Sequence, residues 1–405
     1  MKGKYDLIVV GGGASGLVGA ISFKNSHKDK SVLVVERLSR VGKKILVTGN
    51  GRCNLTNLNA SKNDYNDPEF VSFALSKYPP KKNIEFFEKI GVLTTADEQG
   101  RVYPYSFASS SILNALRNEC ERLRIEFLLD TKIEKAEKKD GFVLNDTLRC
   151  DRLLIASGGR SSSVHGSDGS GYGLLESLGH TIVTPEPSLV QICTEAKTVK
   201  QLKGIRVRGR LTLESNGAVL GQSEGEILFT DYGISGIASL DLSSFIAKKK
   251  NKNLSVIIDM AKEFSEKDLF FFISQMIKNS PHRKCFDALS FILPQKASEV
   301  LVKITGIEQT REFCTLKESE IKALVKILKS FSLKVTGIKG FDMSQVTSGG
   351  VLTKEFDNKT MESKIVKGLY ASGEIFDVDS RCGGFNLQWA WSSGRLAGLC
   401  TEEEL

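Results

Sequence analysis

Residues 5–36 constrain the fold more tightly than any other stretch. Tyr5-Asp6-Leu7-Ile8-Val9-Val10 is a short, mostly apolar run that ends in Gly11-Gly12-Gly13-Ala14-Ser15-Gly16. A helix-compatible segment follows from Leu17 to about His27, and Ser31 to Glu36 reads as a second buried strand. Strand, glycine turn, helix and strand make a βαβ unit, so the chain is expected to be α/β with parallel strands. Glycines at 11, 13 and 16 have the G-x-G-x-x-G spacing. The first allows a tight turn, the second lets the backbone approach a pyrophosphate, and the third lets helix and strand pack closely. Ala14 and Ser15 open the helix, whose first N–H groups lack partners and favour an anion. Glu36 stands 20 residues after Gly16, where it can accept hydrogen bonds from an adenosine ribose. That acid favours an unphosphorylated ribose, as in FAD or NAD, and Arg37 beside it joins the cofactor-binding set.

A chain of 405 residues has room for two or three domains. No run of 18 apolar residues is present, and the N-terminus lacks the pattern of a signal peptide, so a cytoplasmic protein away from the membrane is expected. None of the eight cysteines forms a CxxC pair, which argues against zinc and against a disulfide framework. Four scattered histidines give no metal-binding or hydrolase pattern. The net charge of +8 permits an anionic partner such as RNA without demanding one.

Residues 68–129 read as mainly helical up to a strand at Ile125–Leu129, with Pro79-Pro80 separating two helices. Short strands alternate with turns over 132–155, including a hairpin signal at Asp140-Gly141. Leu153-Leu154-Ile155 then runs into Ala156-Ser157-Gly158-Gly159, a second small-residue turn that suggests another strand end approaching the same ligand. Glycine-punctuated strands are expected over 189–246, helices over 261–330, and a strand again over 331–341. The organisation expected is a first cofactor-domain segment at 1–188, an inserted β-rich subdomain at 189–250 and 331–346, a helical cap at 251–330, and a second cofactor-domain segment at 347–405.

Two further blocks are dense in polar and small residues. Gly42 to Asn57 reads G-K-K-I-L-V-T-G-N-G-R-C-N-L-T-N, more glycine, amide and base than a core segment needs. Lys43, Lys44 and Arg52 can neutralise phosphates, glycines such as Gly49 and Gly51 permit close approach, and Thr48, Cys53 and Asn54 complete the set. Asn50, Asn54 and Asn57 can supply paired donors and acceptors. The second block runs from Gly368 to Gly394. It contains Gly373, Glu374 and Asp377, then Cys382-Gly383-Gly384-Phe385-Asn386, with Gln388 in a closing helix.

The glycine turn, the T-G-x-G-R-C-N-L-T-N signature, the turn after Ile155 and the Gly368–Gly394 block occur in one order. Together they resemble the BaiN/RdsA family of NAD(P)/FAD-dependent flavoprotein oxidoreductases over essentially the whole chain. The resemblance implies a glutathione-reductase-type, Rossmann-like FAD domain, with an inserted β-barrel and a helical subdomain. It also implies that Gly42–Asn57 is a loop wrapping FAD. Two positions depart from the family's Gly-x-x-Gly-Gly-Tyr-Asn pattern: Ser380 replaces a glycine and Phe385 a tyrosine.

A flavin would carry the hydride chemistry, with NADH or NADPH as a transient reductant, since only one G-x-G-x-x-G turn is present. Cys382, ahead of a helix N-terminus and beside Arg381, is a candidate proton donor; a small residue packed beside the cofactor is the plainer reading. Arg101 and Tyr103 are candidates for the substrate face. Family members reduce uridine in ribosomal RNA or unsaturated bile-acid intermediates, or oxidise aminoacetone. Lys200, Lys203, Arg206, Arg208 and Arg210 lie in a stretch without acids, and the three arginines alternate so that one strand face would present them all. Lys248, Lys249, Lys250 and Lys252 form a second cluster. Taken alone, these clusters read as a solvated antiparallel face and a lysine-rich loop. The family resemblance is what points to uridine in 23S ribosomal RNA as substrate, with a small-molecule reductase or oxidase and an FAD-stabilised binding protein without turnover as the alternatives.

Overall fold

The structure is a computed structural model, which describes residues 3–248 and 253–400. Strand β1 (Tyr5–Val10) runs into helix α1 (Ala14–Ser26), and β2 (Val32–Val35) returns parallel to β1, with Val9 opposite Val34. Leu7, Ile8 and Val9 are fully buried. Strands covered on both faces read as continuous apolar runs, which is why this segment does not alternate. The sheet order is Glu126–Leu128, β2, β1, Leu148–Ile155, Gly141–Leu144, Ala136–Lys139, and Leu369–Ala371 adds parallel to Leu148–Ile155. The hairpin at Asp140-Gly141 is present, with Lys139 opposite Gly141.

Asp6 ties the start of the sheet together. Its Oδ2 accepts hydrogen bonds from the N–H and the Oγ of Ser31, both at 2.8 Å, and Lys30 Nζ lies 3.0 Å from Oδ1. Burial works against ionisation here, but the Ser31 bonds and the Lys30 ammonium outweigh it and hold the carboxyl down at about 2. A depressed carboxyl contributes stability above its unfolded pKa and loses it as pH falls through the folded value. Asp6→Ala is therefore expected to lower unfolding free energy by about 2 kcal/mol at neutral pH. The difference from wild type should shrink between about pH 4 and pH 2, as read from urea midpoints across that range.

The chain forms two compact units, Met1–Pro187 with Ser344–Leu405, and Ser188–Met343. In the second, a closed barrel takes its strands in the order Ile192–Thr194, Gly233–Ser235, Ala218–Phe229, Arg206–Ser215, Leu254–Asp259 and Phe331–Ile338. Helices Glu266–Asn279, Gln295–Ile304 and Glu318–Lys329 contribute Leu269, Ile273, Leu301 and Leu324 to the same core as barrel residues Val256, Ile258 and Phe331.

Three local expectations are corrected. Ile237–Lys248 is a helix where the glycine pattern suggests strands up to 246; Ala238 and Leu242, four apart, are buried on one side of it. Leu254–Asp259 is a barrel strand inside the stretch expected to be a helical cap, and its alternating burial matches a two-residue period. Gly42–Asn57 is not an open loop: Lys43–Val47 is a short helix and Thr48–Gly51 a 3-10 turn.

Candidate cofactor and active site

Helix α1 begins at Ala14 with Gly13 as its N-cap, no side-chain cap and no acid in its first turn. Its first N–H groups are therefore left for an external acceptor. The three glycines do different work. A Cβ on Gly11 (φ +108°) would sit 2.6 Å from the Ala156 carbonyl oxygen, and one on Gly16 would sit 2.0 Å from that of Gly11. Among the described residues, a Cβ on Gly13 would meet nothing within 4 Å. Gly11 and Gly16 are thus demanded by the fold, whereas Gly13 opens onto space that the protein does not fill.

Glu36 closes the turn. Its Oε2 accepts from the Gly12 N–H (3.0 Å) and its Oε1 from the Leu38 N–H (2.9 Å), leaving lone pairs for a sugar hydroxyl. Arg37 donates through Nη1 to Asp168 (2.6 Å) and through Nη2 to the Ser163 carbonyl (3.1 Å). Neither Asp168 nor Ser163 belongs to a sequence motif; only the fold brings them to Arg37. Ala156 bonds back to β1, and the following Ser157 Oγ is buried without a partner among the described residues, beside Gly158 at φ +75°.

The last helix, Phe385–Leu399, also starts without a side-chain cap or a first-turn acid, and Gly384 is its N-cap. It crosses α1 at glycines: Cβ atoms on Gly394 and Gly398 would lie 2.4 Å and 2.3 Å from the carbonyl oxygens of Ser15 and Gly19. That register makes the two helices parallel. The start of the last helix then projects about 12 Å beyond the start of α1, at 1.5 Å per residue. Two uncapped helix N-termini, offset along one direction, suit an elongated ligand with a phosphate at one end and polar ring atoms at the other.

The segment from Lys43 to Asn57 lies against this second N-terminus. A Cβ on Gly384 would sit 2.5 Å from the Thr56 carbonyl, and Asn57 Nδ2 donates to the Gly383 carbonyl at 3.0 Å. Asn54 Oδ1, the polar atom aimed at Gly384, is buried without a partner among the described residues. Gly49, Asn50 and Gly51 are all left-handed, which carries the backbone sharply round to Arg52. Lys43 is half-buried, while Lys44 pairs with Glu374 Oε2 at 2.7 Å and Glu374 Oε1 accepts from the Thr347 N–H at 2.8 Å. Thr48 Oγ1 donates to the Ile45 carbonyl at 2.6 Å. Gly373 is bound to the last helix through Ser393 Oγ and Trp389 Nε1.

Several expected ligand contacts are instead internal fastenings. Gln388 is fully buried; its Oε1 accepts from Thr56 Oγ1 (2.6 Å) and its Nε2 donates to the Tyr78 carbonyl (2.9 Å) and Ser392 Oγ (3.0 Å). One turn into the helix, it faces the core. Asn386 spans its own turn through the N–H and carbonyl of Ser380, and Asp377 accepts from Asn66 and from the Gly349 N–H. Cys53 is completely buried and its thiol is pushed up to about 12 by burial, so it packs as a neutral group. Arg101 is held by Asp97 at 2.7 Å, and the Tyr103 ring is 8 % exposed with Arg52 lying 5.4 Å over it. Cys382 remains half-buried in the turn before the last helix. Phe385 is buried beneath the Arg381 guanidinium at 4.6 Å, and Ser380 Oγ donates to the Asp64 carbonyl at 2.7 Å, so both departures from the family pattern are absorbed structurally.

Arg206, Arg208 and Arg210 do share the less buried face of their strand, but acids stand against them. Arg206 pairs with Glu226, Arg210 with Glu224 at 2.7 Å and Lys203 with Asp231 at 2.7 Å, while Arg208 stands in register with Glu226. The neighbouring strand supplies acids that the run from Ala196 to Leu213 lacks. Lys200 lies just before the barrel strand, in a 3-10 turn. Of the second cluster, Lys249, Lys250 and Lys252 lie outside the described residues.

The profile of the HI0933-like protein Rossmann domain matches residues 5–400. The chain belongs to that family. A 3-dehydro-bile acid delta(4,6)-reductase of Clostridium scindens is 36% identical over 403 residues, covering 98% of each chain. A ribosomal RNA dihydrouridine synthase of Haemophilus influenzae is 32% identical over 405 residues, covering 97% of each, and one of Escherichia coli is 30% identical over 412, covering 99% of this chain and 98% of the other. These are BaiN/RdsA-type flavoprotein oxidoreductases, and this HI0933-like chain is an FAD-dependent oxidoreductase of the same kind. Among solved structures, a 3-ketosteroid-delta4-(5alpha)-dehydrogenase of Rhodococcus jostii superposes with a TM-score of 0.52 at 15% identity, covering 98% of this chain and 96% of that one, which shows the shared fold. No helix among the described residues is long and apolar enough to cross a membrane.

Proposed function

We propose that this protein uses NADH or NADPH to reduce a C=C bond conjugated to a carbonyl, and that its substrate is uridine in 23S ribosomal RNA. The observation that carries the cofactor half is the open approach at Gly13 together with the orphaned Asn54 oxygen at the start of the last helix, which fit FAD stretched between two helix N-termini. When bound, FAD supplies two-electron chemistry, accepting a hydride and delivering it to an electron-poor carbon. The start of α1 would hold the pyrophosphate, Glu36 the ribose, and the start of the last helix with Asn54 the polar edge of the ring.

The substrate half rests on chemistry shared by the relatives' names. Saturating a 3-oxo-conjugated steroid bond and saturating uracil both place a hydride on the carbon β to a carbonyl and a proton on the α carbon. Cys382 is the proposed proton donor to that α carbon. Cys382→Ala is expected to slow substrate reduction about 100-fold. Bleaching of the flavin by NAD(P)H, followed by stopped-flow absorbance, should stay at the wild-type rate.

Charge distribution supports an RNA partner. Residues 188–343 hold 24 Lys and Arg against 17 Asp and Glu, a net +7 of the chain's +8. Such concentration favours a polyanion. A small-molecule enone is the second reading, favoured by the ion pairs that neutralise Arg206 and Arg210. Anaerobic incubation of the holoprotein with NAD(P)H and unmodified 23S transcript, followed by nucleoside mass spectrometry, tests the proposal. Dihydrouridine supports it; an unchanged transcript beside a reduced steroid enone replaces it with the second reading.

A further inference from the structure

An unassigned aromatic surface adjoins the Lys43–Asn57 segment. Strand Arg101–Pro104 pairs with Thr56–Asn57, so it is fixed beside the start of the last helix. Just past its end, Tyr105 is 70% exposed and Phe107 50% exposed, and the Tyr105 N–H donates to the carbonyl of Leu93, itself 72% exposed. Val47, 44% exposed, follows Leu46, whose carbonyl accepts from Ser109 Oγ at 2.8 Å. The patch is not a smear of apolar side chains. The Tyr103 ring lies beneath, 5.9 Å from Phe107, and the Arg52 guanidinium covers Tyr103.

Phe107 also has φ +50°, in the left-handed region that a bulky aromatic residue rarely adopts. Its N–H closes a turn onto the Pro104 carbonyl at 2.8 Å, and the turn leaves the side chain half exposed. Neither burial nor backbone ease accounts for phenylalanine here; asparagine or glycine would suit the conformation better.

We propose that Phe107 and Tyr105 are a stacking platform for a splayed-out uracil base of an RNA substrate, with Arg52 set for the adjoining phosphate. Phe107 and the Arg52 guanidinium both pack on the Tyr103 ring, and an exposed aromatic ring with a guanidinium on the same support offers the two groups that unstacked nucleotides use. The assignment rests on the uridine reading of the active site and adds the residues that position the base.

The test uses FAD-loaded protein and a uridine-loop RNA hairpin, with affinity read by fluorescence anisotropy. Phe107→Asn relieves the backbone and removes the ring, so its melting temperature should equal or exceed that of wild type. Its Kd for the hairpin is expected to rise about tenfold or more, with FAD content unchanged. Tyr105→Ala should weaken binding in the same direction. An unchanged Kd in both variants overturns the platform, as does a wild-type protein that ignores the hairpin but binds a steroid enone through Phe107. Dihydrouridine formation reads the function separately. Phe107-dependent RNA binding without dihydrouridine keeps the platform and removes uridine reduction. Normal dihydrouridine formation and KM in Phe107→Asn keeps the reduction and removes the platform.

Discussion

Gly13→Val is expected to lower FAD affinity at least about 100-fold while the protein stays folded. Among the described residues, no atom beyond its own chain neighbours and helix backbone lies within 4 Å of the position its Cβ would take, and the backbone at Gly13 (φ −86°, ψ −165°) is one that valine adopts. The fold therefore loses only the N-cap preference of glycine, about 1 kcal/mol. The branched side chain instead occupies the approach of the pyrophosphate to the N–H groups of α1. Flavin fluorescence titration of the apoprotein measures the affinity and circular dichroism the fold. A Kd within threefold of wild type would remove the phosphate site from the start of α1.

Gly394→Val is expected to act in the opposite way, through the fold first. Its Cβ would lie 2.4 Å from the Ser15 carbonyl oxygen and 2.9 Å from Ser15 Cα, both backbone atoms of α1. Two helices cannot keep that crossing with a branched side chain between them, and repacking costs about 3 kcal/mol or more. Soluble yield and melting temperature should both fall, and FAD retention should fall with them because α1 moves. Gly173, in helix Ser170–Ser177, is the control. Among the described residues, nothing beyond its own helix backbone lies within 4 Å of its Cβ position, so Gly173→Ala should be neutral or stabilising by up to about 1 kcal/mol.

Features set by short-range chemistry are legible in the amino-acid sequence itself. The turn at Gly11–Gly16, the acid at Glu36 and the buried strands around them are legible from spacing; Gly16 answers to the Gly11 carbonyl within the motif itself, whereas the neighbour that demands Gly11, the Ala156 carbonyl, comes from a distant strand end. Gln388 reads as a ligand contact and is a core fastening, because its role depends on which side of the last helix meets Tyr78 and Thr56, and no local pattern states that. Asn386 misleads for the reverse reason: its side chain closes a turn onto Ser380, only six positions earlier, and an amide near two glycines looks the same whether it binds a ligand or its own backbone. The alternation of Arg206, Arg208 and Arg210 is visible, but Glu224 and Glu226 meet them only through the register of the neighbouring strand. Phe107 carries no local signal, since neither exposure nor a left-handed φ has a one-residue signature. Ile237–Lys248 is hidden among serines and glycines that punctuate strands as readily as they tolerate helix.

The central claim is that a flavin held between the two helix starts serves to reduce uridine in ribosomal RNA. Nucleoside mass spectrometry of 23S RNA tests it most directly, in cells lacking the gene and in cells complemented with wild type or with Gly13→Val. The account predicts that dihydrouridine disappears in the deletion, returns with wild type, and stays absent or strongly reduced with Gly13→Val. Dihydrouridine at the same level in all three strains would contradict it and move the search to small, carbonyl-conjugated alkenes.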